Sequence, residues 1–214
     1  FEKKYDFNII NNQVYVGYNL RFHPLILEIK KIIKNRKLWN IQVLCGSFLP
    51  EWRPNIDYQM SSSAKKSLGG GVLLDLSHEL DYIQWLVGPL ILKSAVSSKI
   101  SNLEIDTDDL LLLSAQDNNG THIHISLNYF TRKPTRKIII DGEGISIQGD
   151  LISNQLNVYL DDKPSQKSWK NLKRNDTYNL QHQAIINGDS SYLCDYNDGL
   201  RTMNLINNIM KISK

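Results

Sequence analysis

Hydrophobic positions in the first third of the chain predict a strand, a helix, a second strand and a loop. Residues 14–18 alternate between apolar and small or polar side chains, which is the spacing of a strand. Pro24 suits the first turn of a helix, and the apolar residues after it recur at helical spacing to about Arg36. Residues 39–45 alternate again and predict a half-buried strand. The segment 48–68 has no period, so we expect a long surface loop.

The rest of the chain predicts a run of hairpin-linked strands between helices. Gly69 to Gly71 lead into a predicted helix over 72–87, which Gly88 ends. Turn signals such as Asp-Asn-Asn-Gly at 117–120 separate the strands that follow. The predicted strands are 91–96, 109–115, 121–129, 137–141, 145–149 and 155–160. The predicted later segments are a polar loop over 163–173 and two helices, 178–186 and 198–212. This order predicts an α+β fold, with an open, mainly antiparallel β-sheet and helices on one face.

Composition favours one globular domain and excludes several classes of partner. The chain has 214 residues, and its 25 basic and 22 acidic residues give a net charge of only +3. It therefore lacks the basic surface that nucleic-acid binding needs. No apolar stretch approaches the ~20 residues of a membrane span. Cys45 and Cys194 cannot form a disulfide framework, so we expect a cytoplasmic protein with neither a nucleic-acid nor a membrane partner.

The predicted helix over 72–87 carries polar residues where an apolar face is expected. Positions three and four apart share a helix face, so Asp75, His78 and Tyr82 can line one stripe. An imidazole has an unperturbed pKa near ~6.5, and a nearby carboxylate can orient it. His78 with Asp75 could therefore accept the proton of an alcohol. The alternative is that His78 is a satisfied buried histidine and that Asp75 caps or pairs locally.

The predicted loop holds a second polar group. It contains WRPNIDY at 52–58, followed by Lys65. Arg53 can make bidentate contacts, and together with Tyr58 and Lys65 it could bind sugar hydroxyls, a carboxylate or a phosphate. The alternative is that these side chains are polar only because surface loops are polar.

Two further patterns could begin a metal site, but we expect no metal. His122 and His124 share a face of a predicted strand, and imidazole is a common zinc ligand. No third ligand has convincing spacing, so a metal-dependent hydrolase is the least favoured interpretation. Asp106, Asp108 and Asp109 lack the spacing of a calcium loop.

The sequence contains no dinucleotide-binding motif. Such a site needs G-x-G-x-x-G between a strand and a helix, so that backbone amides can hold the pyrophosphate. Gly69 to Gly71 follow a loop, and Gly142 to Gly144 join two strands. We therefore expect no cofactor-binding residue in this chain.

Three motifs in order carry a resemblance to a known family. VGYNLRFHP at 16–24, WRPNIDY at 52–58 and GGGVLLDLSHELDYIQWLVG at 69–88 resemble the glucose-fructose oxidoreductase, inositol dehydrogenase and rhizopine catabolism family. Its members have an N-terminal Rossmann domain that binds NAD or NADP. Their second domain has an open antiparallel sheet, binds substrate and forms dimers. The resemblance implies that residues 1–18 are a remnant and connecting strand of a missing Rossmann domain. Residues 19–214 would be the substrate-binding and dimerisation domain.

The resemblance also implies roles for single residues. His78 matches the histidine of the family's D-x-x-x-H-x-x-D helix and would be the general base, while Asp81 matches the final aspartate. Asp75 departs from the pattern, because it lies three positions before His78 where four is commoner. The family's E-K-P lysine would lie upstream of Phe1. The implied substrate contacts are Arg21, Arg53, Tyr58, Lys65 and Asp81.

The resulting expectation is a sugar oxidoreductase. The complete protein would oxidise a secondary hydroxyl of a sugar, nucleotide sugar or cyclitol, with NAD or NADP bound by the missing N-terminal domain. The alternative is a non-catalytic sugar-binding or assembly module of the same fold. A homodimer or a higher homo-oligomer is expected through one sheet face, because that face is polar but weakly charged. The residues on that face include His122, His124, Ser126 and Asn128.

Overall fold

A computed structural model describes residues 13–161 and 163–213, which form strands, helices and short 3-10 turns. The strands in this part are β1 (Tyr15–Val16), β2 (Leu38–Gly46), β3 (Ile91–Ser98), β4 (Leu110–Gln116), β5 (His122–Asn128), β6 (Thr135–Gly142), β7 (Ile145–Asp150), β8 (Gln155–Leu160), β9 (Lys163–Ser168) and β10 (Cys194–Asp195). The helices are α1 (Pro24–Ile33), α2 (Val72–Asp75), α3 (His78–Val87), α4 (Asp176–Ile186) and α5 (Tyr196–Ile212).

Eight strands form one open sheet in the order β3-β4-β5-β2-β6-β7-β8-β9. Strand β2 pairs parallel with β5 and antiparallel with β6, and the other neighbours in this sheet are antiparallel. The short strands β1 and β10 pair separately. The expected α+β fold with an open, mainly antiparallel sheet is therefore confirmed.

Helices cover one face of this sheet and leave the other open. On β5, Ile123, Ile125 and Leu127 are buried, whereas His122 and His124 are exposed. The buried face packs into one apolar core with residues of four helices, among them Val72 and Leu73 of α2. The others include Leu25, Ile26 and Ile29 of α1, Leu80 and Ile83 of α3, and Leu205, Ile206 and Ile209 of α5. The two faces of β5 thus differ as the alternation predicted.

The start of α1 is fixed by the residue before it. His23 is buried, and its Nδ1 accepts a hydrogen bond from the amide of Leu25 at 3.2 Å. Its Nε2 lies 3.1 Å from Oδ1 of Asn154, in the turn before β8. Pro24 occupies the first helical position, where its missing N–H needs no partner. His23 therefore joins the helix start to the far half of the sheet.

The helix predicted over 72–87 is broken, which corrects that prediction. Helix α2 ends at Asp75, and Leu76 has φ −102° and ψ 23°, outside helical geometry. The amide of Glu79 then bonds to the carbonyl of Leu76, three residues back. The apolar spacing does not reveal the break. Leu76 and Leu80 are four positions apart and both buried, as they would be in a continuous helix. His78 consequently begins a new helix.

The polar loop predicted over 163–173 contains the edge strand β9, a second correction. Strand β9 pairs with β8 alone, and all six of its residues are exposed. An edge strand with two exposed faces has no apolar alternation to mark it. The loop predicted over 48–68 contains no strand and is organised as four 3-10 turns.

The segment before α1 packs into the same unit as the sheet. Residues 1–12 of the expected remnant lie outside the described residues. Strand β1 pairs with β10, and Tyr18 is buried. The expected boundary between residues 18 and 19 stays a prediction.

Candidate substrate site around His78

His78 is half-buried at the first position of α3. The ring of Tyr18 meets the imidazole edge-on, with 5.3 Å between the ring centroids. The imidazole Nδ1 is buried and has no hydrogen-bond partner within the described residues. That leaves Nε2 as the nitrogen that can meet a substrate. Burial lowers the pKa of His78, so the imidazole is neutral near pH 7 and can accept a proton.

Tyr18 and Ser77, the two neighbours of this histidine, line a cavity of about 490 Å³, whose lining does not include His78 itself. The hydroxyl of Tyr18 donates to Oγ of Ser77 at 3.2 Å. Burial raises the pKa of Tyr18 to about 12, so the phenol keeps its proton at neutral pH. The apolar lining comes from Leu74 and, on α5, from Met203, Ile206 and Met210. The cavity therefore combines an apolar wall with hydroxyl groups, as small-molecule sites do.

A buried ion pair lies directly beside His78. Glu79 is fully buried, and the guanidinium of Arg136 on β6 makes a bidentate contact with its carboxylate. The Arg136 Nε lies 2.6 Å from Oε1 of Glu79, and the Arg136 terminal nitrogen lies 2.9 Å from Oε2. Cys45, which pairs with Arg136 across β2 and β6, is also buried. Burial, together with the charge of Glu79, raises the pKa of that thiol, so it is not a nucleophile at neutral pH.

Arg21 and Asp81, two predicted substrate contacts, bind each other instead. Arg21 is only 2% exposed and makes two hydrogen bonds to Asp81, at 2.7 and 3.0 Å. It also donates to Asp198 at 2.7 Å and to the carbonyl of Leu193 at 3.2 Å. The observed contacts of Arg21 thus tie the turn before α1 to α3 and α5. The role of Arg21 and Asp81 as substrate contacts stays a prediction.

Asp75, predicted as a catalytic partner of His78, is bonded elsewhere. Its Oδ2 accepts a hydrogen bond of 2.7 Å from the hydroxyl of Tyr129, the residue after β5. Trp52 meets the ring of Tyr129 edge-on at 5.2 Å. The break between α2 and α3 separates Asp75 from the imidazole. Asp75 therefore links α2 to the sheet and to the loop, and it makes no hydrogen bond to His78.

The predicted contacts of the loop remain available. Arg53 is exposed and Lys65 half-buried, and neither side chain makes a hydrogen bond or ion pair within residues 13–161 and 163–213. The hydroxyl of Tyr58 accepts a hydrogen bond of 3.1 Å from the amide of Glu104. No hydrogen bond or ion pair in this part of the chain joins these residues to His78. Their role in substrate binding stays a prediction.

The glycines at 69–71 do not form a pyrophosphate cradle. A side chain at Gly70 would collide with the carbonyl oxygen of Ser62, and one at Gly71 with the carboxylate of Asp108. The space that these glycines free is therefore filled by the protein itself. The carboxylate of Asp108 would also repel a phosphate. The residues around this turn do not fit a dinucleotide.

Other ligand classes find little support in the described residues. Nowhere in that part of the chain do three or more His, Cys, Asp or Glu side chains come together as a metal site. None of the helices that the structure describes has the length and apolar character to cross a membrane.

Sequence reasoning missed Ser77, Glu79 and Arg136. A signal was present for the last two. Glu79 lies next to Leu80 at buried positions of α3, and Arg136 occupies the inward position of the β6 alternation with Ile138. A charge at an inward position of a helix and another at an inward position of a strand predict a buried pair, because an unpaired buried charge is costly.

Comparison with solved structures supports the fold over nearly the whole chain. A UDP-N-acetylglucosamine 3-dehydrogenase from Acidithiobacillus ferrooxidans superposes with a TM-score of 0.73 at 18% identity, over 94% of this chain and 61% of that one. A levoglucosan dehydrogenase in complex with NADH and levoglucosan gives 0.78 at 19%, over 93% and 64%. An NAD-binding oxidoreductase from Klebsiella pneumoniae gives 0.77 at 17%, over 92% and 63%.

This chain thus spans about three-fifths of the length of the solved structures that it matches. A search of curated protein sequences returned no match. The profile of the GFO/IDH/MocA C-terminal domain matches residues 26–148, more than half of the chain. The chain therefore belongs to the GFO/IDH/MocA family of oxidoreductases and corresponds to the C-terminal domain of that family.

Proposed function

We propose that this chain is the substrate-binding half of an oxidoreductase that uses NAD or NADP. The complete protein would oxidise a secondary hydroxyl of a sugar, nucleotide sugar or cyclitol. The observation that carries the proposal is His78, a neutral, half-buried imidazole beside the cavity that Tyr18 and Ser77 line. The structural relatives add weight, since one is a UDP-N-acetylglucosamine 3-dehydrogenase and another was solved with NADH and levoglucosan.

In this proposal the chain contributes position and proton transfer. The apolar wall from α5 would pack against the sugar ring, and Arg53, Tyr58 and Lys65 of the loop would bind its other hydroxyls. Nε2 of His78 would accept the proton of the reacting hydroxyl. Tyr18 would hold the imidazole ring in place without exchanging a proton, because its pKa of about 12 keeps the phenol neutral.

The cofactor would be held outside the described residues. Ser62 and Asp108 lie against Gly70 and Gly71, and the carboxylate of Asp108 would repel a pyrophosphate at this turn. A nicotinamide bound by a further domain would supply the hydride acceptor. This chain alone is expected to bind neither NAD nor NADP.

Exchange of His78 for alanine in the full-length protein tests the proposal. Turnover would be followed with NAD or NADP and three probes: UDP-N-acetylglucosamine, levoglucosan and myo-inositol. His78→Ala should lower kcat by roughly 10²- to 10⁴-fold, the contribution of a general base, with a smaller change in KM. The control is His122→Ala, at an exposed position on β5.

Equal and small effects of the two substitutions would show that His78 is not the base. A full-length protein that binds a sugar but reduces neither dinucleotide would favour the non-catalytic sugar-binding module instead.

A homodimer through the open sheet face is the second part of the proposal. Strands β2, β3 and β4 expose Leu44, Val96 and Leu112 on this face, each more than 40% exposed. These apolar side chains line a shallow groove with His124 and Ser126 of β5. Apolar residues in a setting of few charges are typical of the core of a subunit interface. Twofold assembly is the commonest form of such contacts.

A further inference from the structure

Side-chain contacts help to hold the first turn of α3. The regular helical ladder is interrupted after α2, where the amides of Ser77 and Glu79 bond three residues back, and Ser77 makes no side-chain cap to the helix. The side-chain contacts of this turn include the hydrogen bond from Tyr18 to Ser77, the ion pair between Arg21 and Asp81, and the ion pair between Arg136 and Glu79.

Among these contacts, the ion pair between Glu79 and Arg136 is the one that reaches the eight-stranded sheet. Both oxygens of Glu79 are engaged by one guanidinium, so the carboxylate cannot rotate without breaking a bond. Glu79 is the residue next to His78, and Arg136 lies on β6 near the centre of the sheet. The pair therefore connects the backbone beside His78 to a central strand of the sheet.

The carboxylate of this pair is fully buried, whereas the Arg136 side chain is 24% exposed. Replacing a buried ion pair by packed apolar residues is often neutral or stabilising, because both charges must lose their water. Glu79 nevertheless lies fully buried next to Leu80 and Ile83 of the core. A charged pair in such a position is consistent with a role in the neighbouring site.

We propose that Glu79 and Arg136 are positioning residues for His78, and that their ion pair fixes the imidazole in the orientation that proton transfer requires. This inference rests on the proposed role of His78 as the base. It adds the two residues that hold that base in place.

The charges around His78 give the pair a second, measurable effect. Tyr18, from the segment after β1, meets the imidazole edge-on, and the charges of Glu79 on the same helix and Arg136 on β6 act on it. Burial lowers the pKa of His78, the carboxylate of Glu79 opposes this, and the guanidinium of Arg136 adds to it. Removal of the Glu79 charge alone leaves the cation beside the imidazole. The pKa of His78 should then fall further.

The experiment compares Glu79→Gln, the double variant Glu79→Gln/Arg136→Gln and wild type in the full-length protein. The ring protons of His78 are titrated by NMR, which needs no substrate. We expect the His78 midpoint to move to lower pH in Glu79→Gln and to return towards wild type in the double variant. Lys137→Gln is the control, because Lys137 follows Arg136 but is exposed and its charge lies outside the core.

Turnover is the second readout. A displaced imidazole should lower kcat by roughly 10- to 100-fold in both Glu79 variants, with KM changed much less. Arg136→Lys keeps the positive charge but loses the bidentate contact with Glu79. Its His78 midpoint should stay close to the wild-type value, whereas its kcat should fall. If Glu79→Gln does not fold, Glu79→Met/Arg136→Met replaces both charges by apolar side chains and should keep the fold while losing kcat.

The inference is overturned if the folded variants keep the wild-type His78 midpoint and the wild-type kcat. A role in stability alone would give that result with a lower unfolding temperature. Failure of the proposed function looks different: His78→Ala would keep its turnover, while the NMR midpoint of His78 in Glu79→Gln would still move.

Discussion

Protonation of His23 should contribute to a weakening of the fold on acidification from pH 8 to pH 5. Its Nδ1 accepts the amide hydrogen of Leu25, which requires a neutral ring with the proton on Nε2, towards Asn154. Burial lowers the pKa of His23 from 6.5 to about 4, and the hydrogen bond to Asn154 opposes this only in part. The ring therefore stays neutral in the folded protein at a pH where the unfolded chain takes up a proton.

The sign and size of the effect follow from this pKa. Between pH 6.5 and 4 the unfolded state binds more protons at His23 than the folded state does. The stability that neutral His23 contributes is therefore fully present above pH 6.5 and is lost as the pH falls from 6.5 through 4. Over this range the free energy of unfolding falls by roughly 3 kcal/mol, and about 2 kcal/mol of this is already lost at pH 5. A single helix-capping bond contributes about 1 kcal/mol. The cost of protonating a buried ring thus outweighs the bond itself.

Urea unfolding at pH 8 and pH 5 measures this contribution when wild type is compared with His23→Asn. Asparagine can cap the helix but does not titrate. Other buried groups with altered pKa values, such as His78, Asp81 and Asp108, are present in both proteins and cancel in the comparison. The free energy of unfolding of wild type should fall by about 2 kcal/mol more than that of the variant. If the free energy of unfolding falls by the same amount in the two proteins, His23 is not a buried neutral cap.

Two further predictions concern a pair of buried tyrosines and the open sheet face. Tyr82 has a fully buried hydroxyl without a partner in the described residues, whereas the hydroxyl of Tyr129 donates to Asp75. Tyr82→Phe should therefore raise the free energy of unfolding by about 1 kcal/mol and Tyr129→Phe lower it by about 2 kcal/mol, as measured by chemical denaturation. Losses of equal size would argue that the Tyr82 hydroxyl has a partner. Sedimentation of wild type should give twice the chain mass, and Ser126→Arg should shift it towards monomer. Asn179→Arg, at an exposed position on α4, should not, and a monomeric wild type would rule out the sheet-face dimer.

Much of the fold could be predicted because most elements have one buried and one exposed side. Strand β5 and helix α1 each have one face against the core and one face towards solvent. The period of the apolar residues therefore identifies each element. Strand β9 has no buried side and could not be found in this way. The break before His78 could not be found either, because a local change of ψ at Leu76 leaves the burial pattern intact.

The candidate site was predictable to a smaller extent. His78 stood out as a titratable group in an apolar helix. Arg21 and Asp81 were named through the family resemblance, but they are 60 positions apart and form an ion pair that only the tertiary structure reveals. A single sequence marks a charged residue as unusual. It does not say whether the charge meets a ligand or another part of the chain.

The position of β2 has a consequence for how this chain folds. Strands β3 to β5 and strands β6 to β9 are each built from neighbours in sequence, so each set can form early as a local meander. The two sets do not pair with each other, because β2 lies between β5 and β6. Strand β2 must therefore insert between two meanders whose strands lie about 80 to 100 residues away along the chain, and closing such loops is slow. We expect the rate-limiting step of folding to be this insertion, so that substitutions in β2 slow refolding while substitutions in β8 mainly speed unfolding.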